Sequence, residues 1–567
     1  VIHMHFSEFK YERPKIEEFT HSLNTLIQDF ETASTFKEQD ALIVKINRLR
    51  SQFETMWQIA TIRHTINTED PFYEKENDYF DEVVPLYEDS INKYYKSLVN
   101  SKYRNKIEEK WGKQLLTLAE LGLKTFSPEI INDLQKENQL SSKYVKLIAS
   151  AKIPFEGKDR NLSQMIPFQA SKDRNMRIKA YNARYAFFTQ HEDEIDSIYD
   201  KLVKIRTKIA QKLGYKNFVE LGYARMERSD YDANMVANFR NQVLEYIVPI
   251  TTKLYDRQRN RLGLNDLKYY DESLNFKTGN PKPLGDAKWQ VSKARTMYHE
   301  LSSETEEFFN YMTEYGLLDL ESKKGKAGGG YCTFISEYKA PFIFANFNGT
   351  SGDVGVLTHE AGHAFQVYCS RKYLIPEYYF PTSESAEIHS MSMEFFTWPW
   401  MHLFFGDDDT KYKFAHLVDA LQFIPYGVTV DEFQHFVYEN PDATPAERKQ
   451  AWRCIEKKYL PHRDYDDNDF LHRGGYWFQQ MHIFESPFYY IDYTLAQVCA
   501  FQFWKKSLEN HSAAWSDYIR LCKAGGTMSF LELVKLANLK SPFEDGCIQE
   551  IMVPIEKWLN SIDDTTF

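Results

Sequence analysis

The sequence predicts a mainly α fold, and three features lead there. Apolar residues recur at three- and four-residue steps through most of the 567 positions. Glycine and proline are sparse, at 24 and 20 positions, so helices can run long before anything breaks them. Runs that favour strands are short and few. At about 150 residues per packing unit, this length suggests three or four units or one large two-lobed body.

From Lys15 to about Ser150 the pattern is helical nearly throughout. Phe19, Leu23, Leu26, Ile27 and Phe30 share one period, and Ile43, Ile46, Leu49, Phe53 and Trp57 repeat it. Breaks fall at Thr68-Glu69-Asp70-Pro71 and Ser127-Pro128, where the residue before proline is pushed out of the helical region. Several antiparallel helices joined by short turns are expected. Between Ala151 and Ala170 the period changes. Ile153-Pro154-Phe155 and Met165-Ile166-Pro167-Phe168 flank Glu156-Gly157-Lys158-Asp159, which reads as a short linking hairpin over residues 151–170. It separates an N-terminal helical lobe, residues 1–150, from a second region, residues 151–567.

Helical periodicity resumes from Arg174 to about Gln258 and again from Asp286 to Tyr315. Lysine and glycine then cluster from Lys323 to Gly330, before the strand-like runs Tyr331-Cys332-Thr333-Phe334-Ile335 and Phe342-Ile343-Phe344-Ala345-Asn346-Phe347. A small sheet fed by a mobile loop is the expectation. The apolar stretch Phe488 to Trp504 is interrupted by Asp492, Gln497 and Gln502 and is too short to span a bilayer, so it reads as a buried helix.

Composition removes several classes of function. A net charge of −12 is opposite to the footprint a phosphate backbone requires, so no nucleic-acid partner is expected. No membrane partner is expected either. The six cysteines are dispersed without a CxxC pair, and residues 1–10 lack the basic start and apolar core of a signal peptide. Both point to a cytoplasmic protein. Tyr 37 and Phe 41 are high counts, and aromatics beyond the needs of a core often line a groove that grips a ligand.

The chemistry sits in His359-Glu360-Ala361-Gly362-His363, an HExxH motif on a helix with a plausible cap at Thr350 to Asp353. One turn apart, His359 and His363 project from the same face and can reach one metal ion. Glu360 lies beside that face, placed to hold a water rather than the metal. A catalytic zinc site needs a third protein ligand and an open position. Glu387 is the choice, with Glu384, His389 and Glu394 as competitors. Glu394, two turns further along the face of Glu387, could instead orient a ligand imidazole. A third cluster, His482 to Tyr493, carries imidazole and phenol donors suited to stabilising an oxyanion, although an aromatic run is more often core.

Together these segments resemble the zinc oligopeptidases related to thimet oligopeptidase, and more closely the bacterial oligoendopeptidase F and Pz-peptidase branch. The resemblance rests on Phe342 to Gln366, Ala386 to Phe395 and His482 to Tyr493, and covers most of the chain after residue 150. It implies a two-lobed helical clam with a deep central channel and a small sheet beside the motif helix. It implies that His359, His363 and Glu387 hold one Zn2+, and that Glu360 is the catalytic carboxylate. His482 with Tyr490 or Tyr493, ranked above Tyr489, match the donors that contact substrate. The implied activity is endopeptidase cleavage of short unfolded peptides. Independently of the resemblance, the strand Phe342 to Phe347 could offer its edge to the peptide backbone by β-addition. The glycine- and lysine-rich loop before Tyr331 would close over substrate or serve as a plain exposed turn. A dipeptidyl carboxypeptidase and a noncatalytic peptide carrier are the competing readings.

Overall fold

A computed structural model describes residues 3–567 of the chain. Its N-terminal lobe is built from the helices Ile16–Thr32, Phe36–Ile66, Pro71–Val99, Arg104–Trp111 and Lys113–Lys124, with Ile131–Ala149 leading out of it. The expected break at residues 68–71 is a helix start. The Asp70 carboxylate accepts from the amide of Phe72 at 2.9 Å, and Pro71 takes the first helical position, where its missing N–H costs nothing. Phe19, Phe53, Phe80 and Tyr87 fill the centre of the lobe, with Phe53 and Tyr87 stacked at 4.3 Å between centroids. Leu134, Leu140, Tyr144 and Ile148 instead join the larger core of the second region. The helix Ile131–Ala149 therefore packs its apolar face across the linker.

The linking hairpin differs in its second half from the expectation. Ile153–Phe155 pairs antiparallel with Lys158–Arg160, not with Met165 to Phe168. Glu156 and Gly157, at φ +49° and +79°, make the two-residue turn whose twist matches the strands. Residues 165–168 fall in the helix Leu162–Gln169, because Asn161 and Gln164 form a capping box that starts a helix just before them.

Beyond this hairpin, the regular structure of the second region is helical apart from one three-stranded sheet. Leu318–Glu321, a strand the helical period before it concealed, runs parallel to Ala340–Phe347, and Tyr331–Ile335 runs antiparallel on the other side. Ala340–Phe347 is therefore central, with partners along both edges. The proposed offer of its edge to a peptide is corrected: only Tyr331–Ile335 has an outer edge towards the cleft. The loop between Lys323 and Gly330 is also tied down rather than a free exposed turn. The buried Lys326 ammonium donates to Asp319 at 2.6 Å and to the carbonyl of Glu321 at 2.8 Å, while the amides of Thr68 and Ala327 bond across to Gly325 and Thr65 at 2.8 Å.

The two lobes meet around polar anchors. Arg50 pairs with Glu377 at 2.8 Å, both nearly buried, and Glu137 receives Arg206 at 2.6 Å and Arg225 at 2.9 Å. Between the lobes lies a channel. A cavity of about 390 Å³ is lined from one side by Tyr87 and Asn92 and from the other by Arg225 and Glu227. Through Glu485 it shares a wall with a cleft of about 570 Å³ that reaches the HExxH helix. No helix among the described residues is long and apolar enough to cross a membrane.

Candidate metal centre

The motif helix spans Gly352–Ser370 and the helix carrying the candidate third ligand spans Ser383–Phe396. The first begins where Asp353 accepts from the amides of Asn348 and Gly349 at 2.9 and 2.8 Å, pinning the turn that leaves the sheet. The two helices cross in contact because position 362 is glycine. A Cβ there would lie 2.7 Å from the His389 carbonyl oxygen and 2.7 Å from Ser390 Cα, backbone atoms that cannot swing aside. This close approach brings Glu387 under the two histidines.

His359 Nε2 and His363 Nε2 lie 3.2 and 3.1 Å from one oxygen of Glu387, Oε1. The three candidate ligand atoms all fall within 4.8 Å of one another. Two imidazole nitrogens and a carboxylate aimed at one point match the donor set of a catalytic zinc site. Ser390 adds a hydroxyl to Oε1 at 2.9 Å, and Tyr489 donates to Oε2 at 2.6 Å. Burial alone would raise the Glu387 carboxyl; His363 and His359 outweigh it and hold the group well below the usual carboxylate range. Glu360 is 6% exposed, and its Oε2 has no hydrogen-bond partner. Desolvation raises its carboxyl above the ordinary value, against the pull of the neighbouring histidines. Glu360 lines the cleft beside the two histidines.

The other candidates for the third ligand fall elsewhere. Glu394 sits behind His359, with Oε2 at 3.0 Å from Nδ1, so it orients that imidazole as its helical spacing suggested. Glu384 is buried one turn before Glu387 and accepts from the Thr382 hydroxyl. His389, fully buried, points away from the trio, since two residues turn a helix by about 200°.

His482 and Tyr493 line the same cleft, 2.9 Å apart from Nε2 to the hydroxyl, and His482 Nδ1 lies 2.9 Å from the Gln480 amide. Desolvation brings the His482 imidazole down to about 4, so it is neutral near pH 7. Tyr489 lines the cleft as well. Tyr490 is only 7% exposed and packs behind it, against Phe423 and Tyr426, away from the cleft lining. Of the two, Tyr489 is the one that lines the cleft.

The turn bearing Tyr489 and Tyr490 is clamped by residues that sequence reading missed. Phe488 sits at φ +68°, a conformation unusual for a large side chain. Its amide donates to Gln434 at 2.9 Å, and its carbonyl accepts from Arg228. Both partners lie more than fifty positions away, and nothing in the local pattern announces them. Ser390 could have been found, being one turn from Glu387 on the same face.

This chain matches the model of peptidase family M3 over residues 168–553, and that of the peptidase M3 N-terminal domain over residues 6–126. The chain belongs to peptidase family M3. Among solved structures, Pz peptidase A with an inhibitor is 63% identical, covering 99% of this chain and all of that one, with a TM-score of 0.98. A Bacillus anthracis str. Ames protein provisionally named oligoendopeptidase F is 57% identical over 100% of this chain and 99% of its own, with a TM-score of 0.94. The oligoendopeptidase F homologue of Borreliella burgdorferi is 22% identical over 66% of this chain, and the match spans 63% of that relative's length. The M3 fold is therefore the helical clam described above.

Proposed function

We propose that this M3 peptidase is a zinc-dependent endopeptidase acting on short unfolded oligopeptides. The observation that carries the reading is the convergence of His359 Nε2, His363 Nε2 and Glu387 Oε1 beside an unpartnered Glu360 oxygen, in a cleft of about 570 Å³. His359, His363 and Glu387 would hold the ion. Zinc, when bound, supplies Lewis-acid polarisation of a carbonyl and lowers the pKa of a water.

The protein's own groups account for the rest. Glu360 takes the proton from the attacking water and returns it to the leaving amine, a role suited to a carboxyl whose basicity burial has raised. Tyr493, bonded to His482, faces the cleft as a donor to the carbonyl oxygen as negative charge develops there. The outer edge of Tyr331–Thr333 forms a cleft wall and can pair with a peptide backbone, which tolerates many side chains. The enclosed channel between the lobes favours a thin, unfolded chain over a folded one. Six free cysteines suit a reducing compartment, the cytoplasm.

The test is digestion of a peptide blocked at both ends, with and without chelator, by the protein and two variants. Glu360→Gln is expected to keep zinc and lose turnover, and Glu387→Ala to lose zinc. Near-normal cleavage by Glu360→Gln overturns the assignment of the base. Failure of the unaltered protein to cut the blocked peptide overturns endopeptidase action.

A further inference from the structure

Behind His359 a line of hydrogen bonds runs away from the metal centre and ends on an indole. His359 Nδ1 lies 3.0 Å from Glu394 Oε2, Glu394 Oε1 lies 3.2 Å from His416 Nε2, and Trp398 Nε1 lies 2.8 Å from His416 Nδ1. The members beyond His359 come from two stretches of chain. Glu394 is on the helix Ser383–Phe396, Trp398 begins the short turn that follows it, and His416 is on the long helix Asp409–Glu439. Trp398 is buried at 4% exposure.

The direction of the bonds in this line follows from two facts, that an indole nitrogen can only donate and that an ionised carboxylate can only accept. Trp398 gives its N–H to His416 Nδ1, so that nitrogen must be the acceptor and cannot carry a proton. The single proton of His416 then sits on Nε2 and is donated to Glu394 Oε1. Glu394, an acceptor on both oxygens, receives the Nδ1 proton of His359. His359 Nε2, 3.2 Å from Glu387 Oε1, is then the nitrogen that would be offered to a metal ion. Without the indole, His416 has two tautomers, one of which turns a lone pair against the Glu394 carboxylate.

We propose that Trp398 and His416 are positioning residues for zinc: the indole selects the His416 tautomer, and through Glu394 this presents His359 Nε2 as a ligand. The inference rests on the reading of His359, His363 and Glu387 as the zinc site. Removal of groups behind a metal ligand typically lowers metal affinity about 10–100-fold, which sets the expected scale.

The substitution His416→Gln separates tautomer selection from packing. The introduced amide oxygen can accept from Trp398 while the NH₂ donates to Glu394, and an amide has no tautomer to select. The experiment measures zinc affinity by competition with a chromogenic chelator, alongside thermal unfolding to confirm folding, for His416→Leu, His416→Gln, Trp398→Phe and the double variant W398F/H416Q. His416→Leu is expected to bind zinc about 10–100-fold more weakly, and His416→Gln to stay within about threefold of the unaltered protein. Trp398→Phe is expected to weaken zinc about tenfold when His416 is present, and by much less when combined with H416Q.

Equal losses from Trp398→Phe in both backgrounds overturn the proposal, because the indole would then act through packing alone. Unchanged affinity in folded His416→Leu overturns it as well. Absence of zinc binding by the unaltered protein would instead refute the metal site itself, a separate failure.

Discussion

Tyr489 donates its hydroxyl to Glu387 Oε2 across 2.6 Å, while Tyr493, one helical turn later, is bonded to His482 and not to the metal trio. Two phenols four residues apart thus have different tasks. Tyr489→Phe removes a charge-assisted bond to the candidate ligand and is expected to weaken zinc retention, with about 1.5–3 kcal/mol at stake. Tyr493→Phe should leave zinc retention unchanged and reduce kcat by about 100-fold or more. Parallel zinc titrations and steady-state kinetics check both. The same loss of zinc in the two variants would show that the phenols are not divided in this way.

Gly362 sets the distance between the motif helix and the helix of Glu387. Gly362→Ala places a methyl 2.7 Å from backbone atoms of His389 and Ser390, so the helices must part. Overpacking of this kind costs about 1–3 kcal/mol. A lowered Tm together with weakened zinc binding is the expected outcome, measured by calorimetry and chelator competition. Gly355→Ala on the same helix, whose Cβ would meet only the Tyr412 hydroxyl at 3.9 Å, is the control that should change neither.

Glu137 makes stability depend on acid. Burial would raise its carboxyl, but Arg225 and Arg206 overcome that and bring it down to about 2. A depressed carboxyl stabilises the fold fully above its unfolded value near 4.5, and that contribution fades as pH falls from there towards 2. Its size is at most about 3 kcal/mol. Urea unfolding between pH 6 and pH 3 should show declining stability, and Glu137→Gln should flatten part of that slope while lowering stability at pH 6. An unchanged slope in the variant would remove Glu137 from the account.

The Arg50–Glu377 pair joins the N-terminal lobe to the segment between the two site helices, with Tyr95 also donating to Glu377 at 2.6 Å. Breaking a buried pair by removing one partner leaves the other charge without compensation, at a cost of about 3–5 kcal/mol. Arg50→Ala is expected to lower the unfolding free energy by that amount, read from urea titration. Glu377→Gln, which leaves the buried Arg50 guanidinium without its counter-charge, should cost a similar amount.

Local chemistry was legible in the chain. HExxH announces its face because two residues four apart on a helix point the same way, and the spacing of Glu387 and Glu394 puts a candidate ligand and a candidate supporter on one stripe. The helical lobes follow from period and sparse breakers; the helix Leu162–Gln169 starts instead from the capping pair Asn161 and Gln164, against the strand-like look of Met165 to Phe168.

By itself, then, the sequence determined the helical class, the metal-binding motif and the residues that can serve as ligands, since these depend on repeats of three to four positions. Only tertiary structure decided that Tyr489 and not Tyr490 faces the cleft, that Ala340–Phe347 has no free edge, and that Trp398, Gln434 and Arg228 stand behind the site. Each of those outcomes turns on contacts between segments far apart in the chain or on a backbone angle such as that of Phe488. The energy of such contacts lies in packing and desolvation at one place, which no local period encodes.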